Sequence, residues 1–282
     1  MIYLLLSILA SAAIFLIFRS LKVFKIDTLQ VIVLNYITAF TCGIIINSSK
    51  YTFNSIISSD WFFGAVFLGF LFIAIFYVMA LTSQRNGISV ASVASKMSVV
   101  IPVVFGIIVY NETLSFRKFS GILLALIAVY LASVKKRDKV VLTRSLYLPI
   151  ILFLGSGIVD TSINYFAPPD QISLFSSTIY GIAFILGLIL LLYRRSRGQL
   201  YLKRHIVIPG ILLGIVNYAS IYFILKALKF GPLESSAVFT INNVAIVGLT
   251  AVLGYSIFRE VMTAKNIWGI AMAVISIVLI TA

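Results

Sequence analysis

Apolar residues run along this chain in long blocks, and polar residues are confined to short gaps between them. About twenty apolar residues are enough for a helix to cross a bilayer. The pattern predicts ten such helices, at 2–18, 28–47, 61–82, 88–110, 119–134, 146–166, 172–193, 206–228, 235–257 and 266–282. The blocks leave no stretch over for a soluble domain. The expected fold is therefore an all-α polytopic membrane protein of ten transmembrane helices. The first block has no basic region ahead of it, and its first charge, Arg19, comes after it, so it reads as a true helix and not a signal peptide.

The polar gaps also reveal a repeat. "ETLSFRKFSGILLALIAVYLASV", from Glu112, aligns without a gap on "EVMTAKNIWGIAMAVISIVLITA", from Glu260. This offset places Gly121 on Gly269, Ile122 on Ile270 and Ala125 on Ala273. Upstream, with small slips, "FYVMALTSQRNGISVAS" from Phe76 resembles "YFILKALKFGPLESSA" from Tyr222. Each ends a helix, turns at a glycine (Gly87, Gly231) and opens the next helix with small polar residues. Pro102 stands before Glu112 where Thr250 stands before Glu260. Five helices per copy is an odd number, so the second copy enters the membrane from the opposite side. Two inverted five-helix repeats, 1–139 and 140–282, then share one transmembrane domain with an axis in the membrane plane.

Pro102, Glu112, Arg117–Lys118 and Gly121, followed by Thr250, Glu260, Lys265 and Gly269, resemble the drug/metabolite transporter superfamily, specifically the EamA-type carriers. The resemblance covers essentially the whole chain. It implies a secondary carrier whose fourth and ninth helices line a central cavity, with both termini inside the cell. One departure is the first helix, where Leu9, Ala10, Ser11 and Ala12 replace the tryptophan-rich start common in that family.

Charge changes the picture in one respect. The net charge is +14, yet only 11% of residues are charged and the mean hydropathy is +1.13. The basic residues cluster in loops, as in "KKRDK" at 135–139 and "RRSRGQLYLKRH" at 194–205. Such clusters set topology and meet anionic lipid headgroups, so no nucleic-acid partner is expected. Sixteen of the 22 Lys and Arg fall in the loops after odd-numbered helices. By the positive-inside rule those loops face the cytoplasm and both termini lie outside, opposite to what the resemblance implies. The size of the bias carries the expectation here. The expected location is the inner membrane of a bacterium.

An ionisable side chain at mid-membrane costs roughly 2.5–3.5 kcal/mol on insertion scales, so each one needs a reason. Two qualify. Lys96 lies eight residues into the fourth helix, about 12 Å deep, and Asp160 in the sixth helix lies roughly 20 Å from the same face. Lys96 reads either as a fixed cation for a substrate carboxylate or phosphate, or as an ammonium satisfied by Asp160 or by backbone carbonyls. Asp160 reads as its counter-ion, a proton carrier, or both. Ser89, Ser92, Ser95 and Ser98 form a polar ridge beside Lys96, which serves either a wet face or close helix packing. Asn242 and Asn243 sit near mid-depth of the ninth helix. Neighbouring positions point about 100° apart, so one of them is expected to face a cavity.

Ser162 and Asn164 sit along the sixth helix with Asp160, and Asn35, Tyr36 and Asn217 are more often helix–helix hydrogen bonds than ligands. Lys226 and Lys229 are expected to snorkel, and Tyr77, Tyr180, Tyr218 and Tyr222 are candidates for a pore lining. Glu112 and Glu260, beside basic residues, read as salt-bridged structural groups. His205 lies in a basic loop with no ligand partner nearby and reads as solvated. Cys42 is the single cysteine, which excludes an intramolecular disulfide.

No nucleotide-binding Gly-Lys-Ser/Thr loop, metal-ligand cluster or nucleophile–base pair is visible, so neither a cofactor nor an enzyme activity is expected. The expected function is secondary transport, by alternating access, of a small anionic or zwitterionic metabolite. Lys96 would be the anchor, Asn242 or Asn243, Ser92 and Ser95 polar contacts, and Asp160 a charge balance. A cationic drug/proton antiporter built on Asp160 is the alternative, and a membrane enzyme or scaffold a more distant one. Small residues in the last helix (Gly269, Ala271, Ala273) suit either a homodimer or packing within the monomer.

Overall fold

In an apolar medium every backbone N–H and C=O must be bonded internally, which leaves the helix as the natural form for long apolar blocks. The computed structural model describes residues 1–46, 56–101, 104–105, 115–133, 142–168, 171–198, 204–230 and 235–281. Among these are ten α-helices: α1 (Ile2–Val23), α2 (Thr28–Ile46), α3 (Phe62–Arg85), α4 (Ile88–Met97), α5 (Phe116–Ser133), α6 (Leu142–Phe166), α7 (Ile172–Ser196), α8 (Val207–Phe230), α9 (Ser235–Ser256) and α10 (Ala264–Thr281). A 3₁₀ turn, Arg204–Ile206, leads into α8, and no strand occurs among the described residues. Six helices, α1, α2, α3, α6, α7 and α8, contain apolar stretches long enough to cross a membrane. That is the signature of a multi-pass membrane protein.

α4 differs from its predicted extent. The pattern places a helix over 88–110, but α4 ends at Met97 and Ser98 and Val99 form a turn. Val100, Ile101, Val104 and Phe105 are helical again beyond this turn, and the Ile101 N–H donates to the Ser98 carbonyl at 2.9 Å. Pro102, Glu112, Gly231, the basic run 135–139 and the seam at 139/140 lie outside the described residues, as do the side chains of Asn164 and Lys229.

The helices pack in an ordered set of pairs: α5 with α10, α2 with α7, α4 with α9, α1 with α8 and α3 with α6. α8 also packs on α2, and α7 on α3. At the centre of one core cluster Tyr36 and Tyr180 are fully buried, with ring centroids 6.1 Å apart. Phe72 and Phe76 of α3 sit edge-on or tilted to these rings, at 5.9 and 5.8 Å. The Tyr36 hydroxyl donates to the Phe72 carbonyl at 2.8 Å, so its polar tip is satisfied inside the bundle.

Polar side chains tie the helices together at their ends. Arg194 of α7 pairs with Asp27, just before α2, at 3.1 Å. Lys22 of α1 donates to the Gln84 carbonyl of α3 at 2.9 Å, and Arg19 reaches the carbonyls of Ser83 and Gln84. Arg85 of α3 donates to the Tyr147 hydroxyl of α6 at 3.0 Å. These contacts gather the C-terminal ends of α1, α3 and α7 and the starts of α2 and α6 at one basic end of the bundle. At the other end the Trp61 indole donates to Gln171 at 3.2 Å.

Glycine decides how closely α2 and α8 approach. A Cβ on Gly214 of α8 would lie 2.5 Å from the Thr38 Cβ and 2.7 Å from the Asn35 backbone oxygen of α2. A Cβ on Gly248 of α9 would meet nothing within 4 Å. Gly214→Ala is therefore expected to destabilise the protein by about 1–3 kcal/mol through overpacking. Gly248→Ala is expected to be neutral or to stabilise by up to about 1 kcal/mol, as alanine is the better helix former. Thermal melting of the two variants in detergent checks the contrast; equal melting temperatures would count against the α2–α8 crossing.

Candidate functional site

Five helices converge on a cavity of about 180 Å³. α1 contributes Ser11, Ile14 and Phe15; α3 contributes Phe72, Ile75, Phe76 and Met79. α4 contributes Ser95 and Lys96, α6 Ser156, Val159 and Asp160, and α8 Asn217 and Ser220. The wall from α1 and α3 is largely apolar and aromatic, while the α4, α6 and α8 side is polar.

The two charges predicted from sequence thus line one space. Lys96 is half-buried and Asp160 is exposed. Each charge acts electrostatically on the other, yet no ion pair joins the two side chains. The Ser98 hydroxyl donates to Asp160 Oδ2 at 3.4 Å, and the Ser156 and Ser95 hydroxyls meet at 3.5 Å. An ammonium, a carboxylate and several hydroxyls around one cavity can hold a ligand carrying both signs of charge.

Asn217 has two roles. Its side-chain amide pairs with that of Asn35 on α2 at 3.1 Å, the helix–helix bond expected from sequence, and it also lines the cavity. Ser220 donates to the Asn217 carbonyl at 2.8 Å, and Ser7 of α1 donates to the Ser220 carbonyl at 3.0 Å. This fastens α1 to α8 directly beside the cavity.

Other predicted residues lie elsewhere. Ser92 is fully buried and its hydroxyl meets that of Thr250 on α9 at 2.6 Å, so it joins two helices and does not line the cavity. Asn242 and Asn243 are both buried and neither lines the cavity; Asn242 Oδ1 has no hydrogen-bond partner. Of the tyrosines proposed for a pore, Tyr180 sits in the aromatic core, and none lines the cavity. Lys226 places its ammonium 4.8 Å from the Tyr222 ring centroid and 5.5 Å from that of Tyr3, a cation–π arrangement between α8 and α1. Glu260 makes no ion pair with Arg259; its carboxylate accepts from the Ile88 backbone N–H at 2.8 Å and from the Ser89 hydroxyl at 3.2 Å.

The cavity also takes in Phe72, Phe76, Ser156 and Ser220, which the sequence reading did not single out, and Asn217, which it read as a helix–helix bond. Their spacing held a signal. Ser156 precedes Asp160 by four residues, Phe72 precedes Phe76 by four and Asn217 precedes Ser220 by three, so each pair shares a helix face.

No family model matches the chain. A protein of Haemophilus influenzae, described only as uncharacterized, is 26% identical over 277 residues, covering 94% of this chain and 92% of its own. The likeness thus covers most of the chain and extends well beyond the residues around the cavity.

The Ser92–Thr250 contact generates a test that separates packing from ligand binding. Ser92→Ala and Thr250→Ala are each expected to destabilise the protein, with a coupling of about 0.5–1.5 kcal/mol in a double-mutant cycle read by chemical or thermal unfolding. Strict additivity would mean that the two hydroxyls do not support one another.

Proposed function

We propose that the chain is a ten-helix secondary transporter of the EamA type that carries a small zwitterionic metabolite by alternating access. The carrying observation is the shared cavity. Lys96 and Asp160 present opposite charges without contacting one another, and hydroxyls and an amide stand beside an apolar aromatic wall. In this reading a substrate carboxylate sits on Lys96, its amine on Asp160 and an apolar side chain against Phe72, Phe76 and Met79. The role of Asp160 moves from balancing charge to contacting substrate. A scaffold has no use for two unlike charges facing one space at mid-depth.

The helix pairing supports the inverted-repeat part of the proposal. Exchanging each helix for the one five places on turns α1–α8 into α6–α3, α2–α8 into α7–α3 and α1–α9 into α6–α4, and all of these pairs pack. The pairs α2–α7, α4–α9 and α5–α10 map onto themselves, as pairs straddling a two-fold axis do. Arg195 and Arg197 are exposed at the basic end, where they meet anionic headgroups of a bacterial inner membrane.

A thermal-shift screen of the purified protein tests this reading, using pooled amino acids, organic acids, sugar phosphates and lipophilic cations. A ligand at a hundred times its Kd stabilises the native state by about 2.7 kcal/mol. The expected result is stabilisation by a zwitterion, with affinity falling about tenfold or more in both Lys96→Ala and Asp160→Asn, since each removes a charge-assisted contact. A cation that binds Lys96→Ala as well as the parent but is lost in Asp160→Asn would establish the cation antiporter instead. An anion lost only in Lys96→Ala would remove Asp160 from the site.

A further inference from the structure

A second cavity, of about 290 Å³, lies at the basic end against Arg19, Arg85, Ser89, Val90, Glu260 and Asn266. It touches the first turn of α4, whereas the central cavity touches Ser95 and Lys96 further along the same helix. Between the two contacts lie Ala91, Ser92, Val93 and Ala94, all with 0% exposure. One sealed turn, about 6 Å long, therefore separates the cavities along α4. Thr250 of α9 meets the middle of that turn at Ser92.

The start of α4 is not capped from its own sequence. The residue before it is Gly87, with φ +109°, and no side chain of the helix caps its free amides. The cap comes from Glu260, 172 residues away, through the Ile88 N–H and the Ser89 hydroxyl. A carboxylate there also meets the positive end of the helix dipole. The turn after α9 is shaped to deliver it: Arg259 takes a left-handed φ of +50°, and the Glu260 N–H donates to the Gly254 carbonyl at 3.0 Å. Two glycines leave room for the carboxylate. A Cβ on Gly87 would fall 2.7 Å from Oε1, and one on Gly254 would fall 2.6 Å from Oε2.

We propose that Glu260 is a latch. By capping α4 from the turn after α9 it holds the buried turn Ala91–Ala94 shut between the two cavities, and the central cavity opens to the basic end only when the carboxylate lets go. Glu260 thereby also positions Lys96, two turns further along the helix it caps. The inference rests on the central cavity being the transport site, but its test does not require transport.

The test is thiol accessibility in membrane vesicles. Cys42→Ser removes the native thiol and Val159→Cys places one in the central cavity; an Arg197→Cys reporter identifies vesicles whose basic end faces the reagent. A charged, membrane-impermeant maleimide added from that side is expected to label Val159→Cys slowly while Glu260 is present. Glu260→Ala is expected to raise the rate about fivefold or more as the open population grows. Glu260→Gln, whose amide oxygen still accepts from Ile88, is expected to fall between. Gly254→Ala, which crowds the carboxylate without altering it, is expected to raise the rate as well. Rates within about twofold of the parent in both Glu260→Ala and Gly254→Ala would overturn the latch. If Glu260→Ala cannot be purified folded, Gly254→Ala and Glu260→Gln decide by the same criterion. Faster labelling in a protein that binds no member of the thermal-shift pools would leave the latch standing and defeat the transport reading; ligand binding with unchanged labelling would do the reverse.

Discussion

An ammonium and a carboxylate that open on one cavity in a mostly apolar bundle need polar company, and the surrounding structure has to supply it. Lys96 and Asp160 impose that requirement here, and much of the architecture around them answers it. The cavity gives both groups open space and polar neighbours without letting them collapse into a closed pair. Ser98 reaches Asp160 from the same turn that ends α4, while Ser95 and Ser156 bring hydroxyls from α4 and α6. The polar groups come from several helices because one helix face cannot surround a charge.

The opposite wall has a different origin. Phe72 and Phe76 line the cavity with one side and pack into the Tyr36–Tyr180 cluster with the other. The bond from Tyr36 to the Phe72 carbonyl fixes α3 against α2 at the same level. A substrate pressed on this wall would feel a surface already ordered by the core, which reduces the ordering entropy lost on binding.

How much of this was legible in the sequence follows from what each signal depends on. Ten helices among the described residues, and limits near those expected for all but α4, were legible because long apolar blocks have one stable backbone form in a bilayer. Lys96 and Asp160 were legible because ionisable residues are rare inside spans. Ser92 and Ser95 were not separable: they lie three residues apart on nearly one face, and only the approach of α9 sends one to Thr250 and leaves the other at the cavity. Asn242 and Asn243 lie away from this cavity for a similar reason, since depth in a helix says nothing about which neighbour covers it. Glu260 misled because its basic sequence neighbours suggested ion pairs, whereas its partners, Ile88 and Ser89, lie far away in the chain.

α4 and α9 differ at the position where the sequence pattern aligns them. Pro102 and Thr250 occupy matching places. Threonine keeps its amide, and α9 runs unbroken through Thr250 to Ser256, while α4 stops at Met97. The Thr250 hydroxyl lies against Ser92 in the buried turn of α4. The continuous α9 also carries the chain to the tight turn at Arg259, from which Glu260 reaches the start of α4. α4 carries Lys96, and α9 with the turn after it holds α4 in place through Thr250 and Glu260.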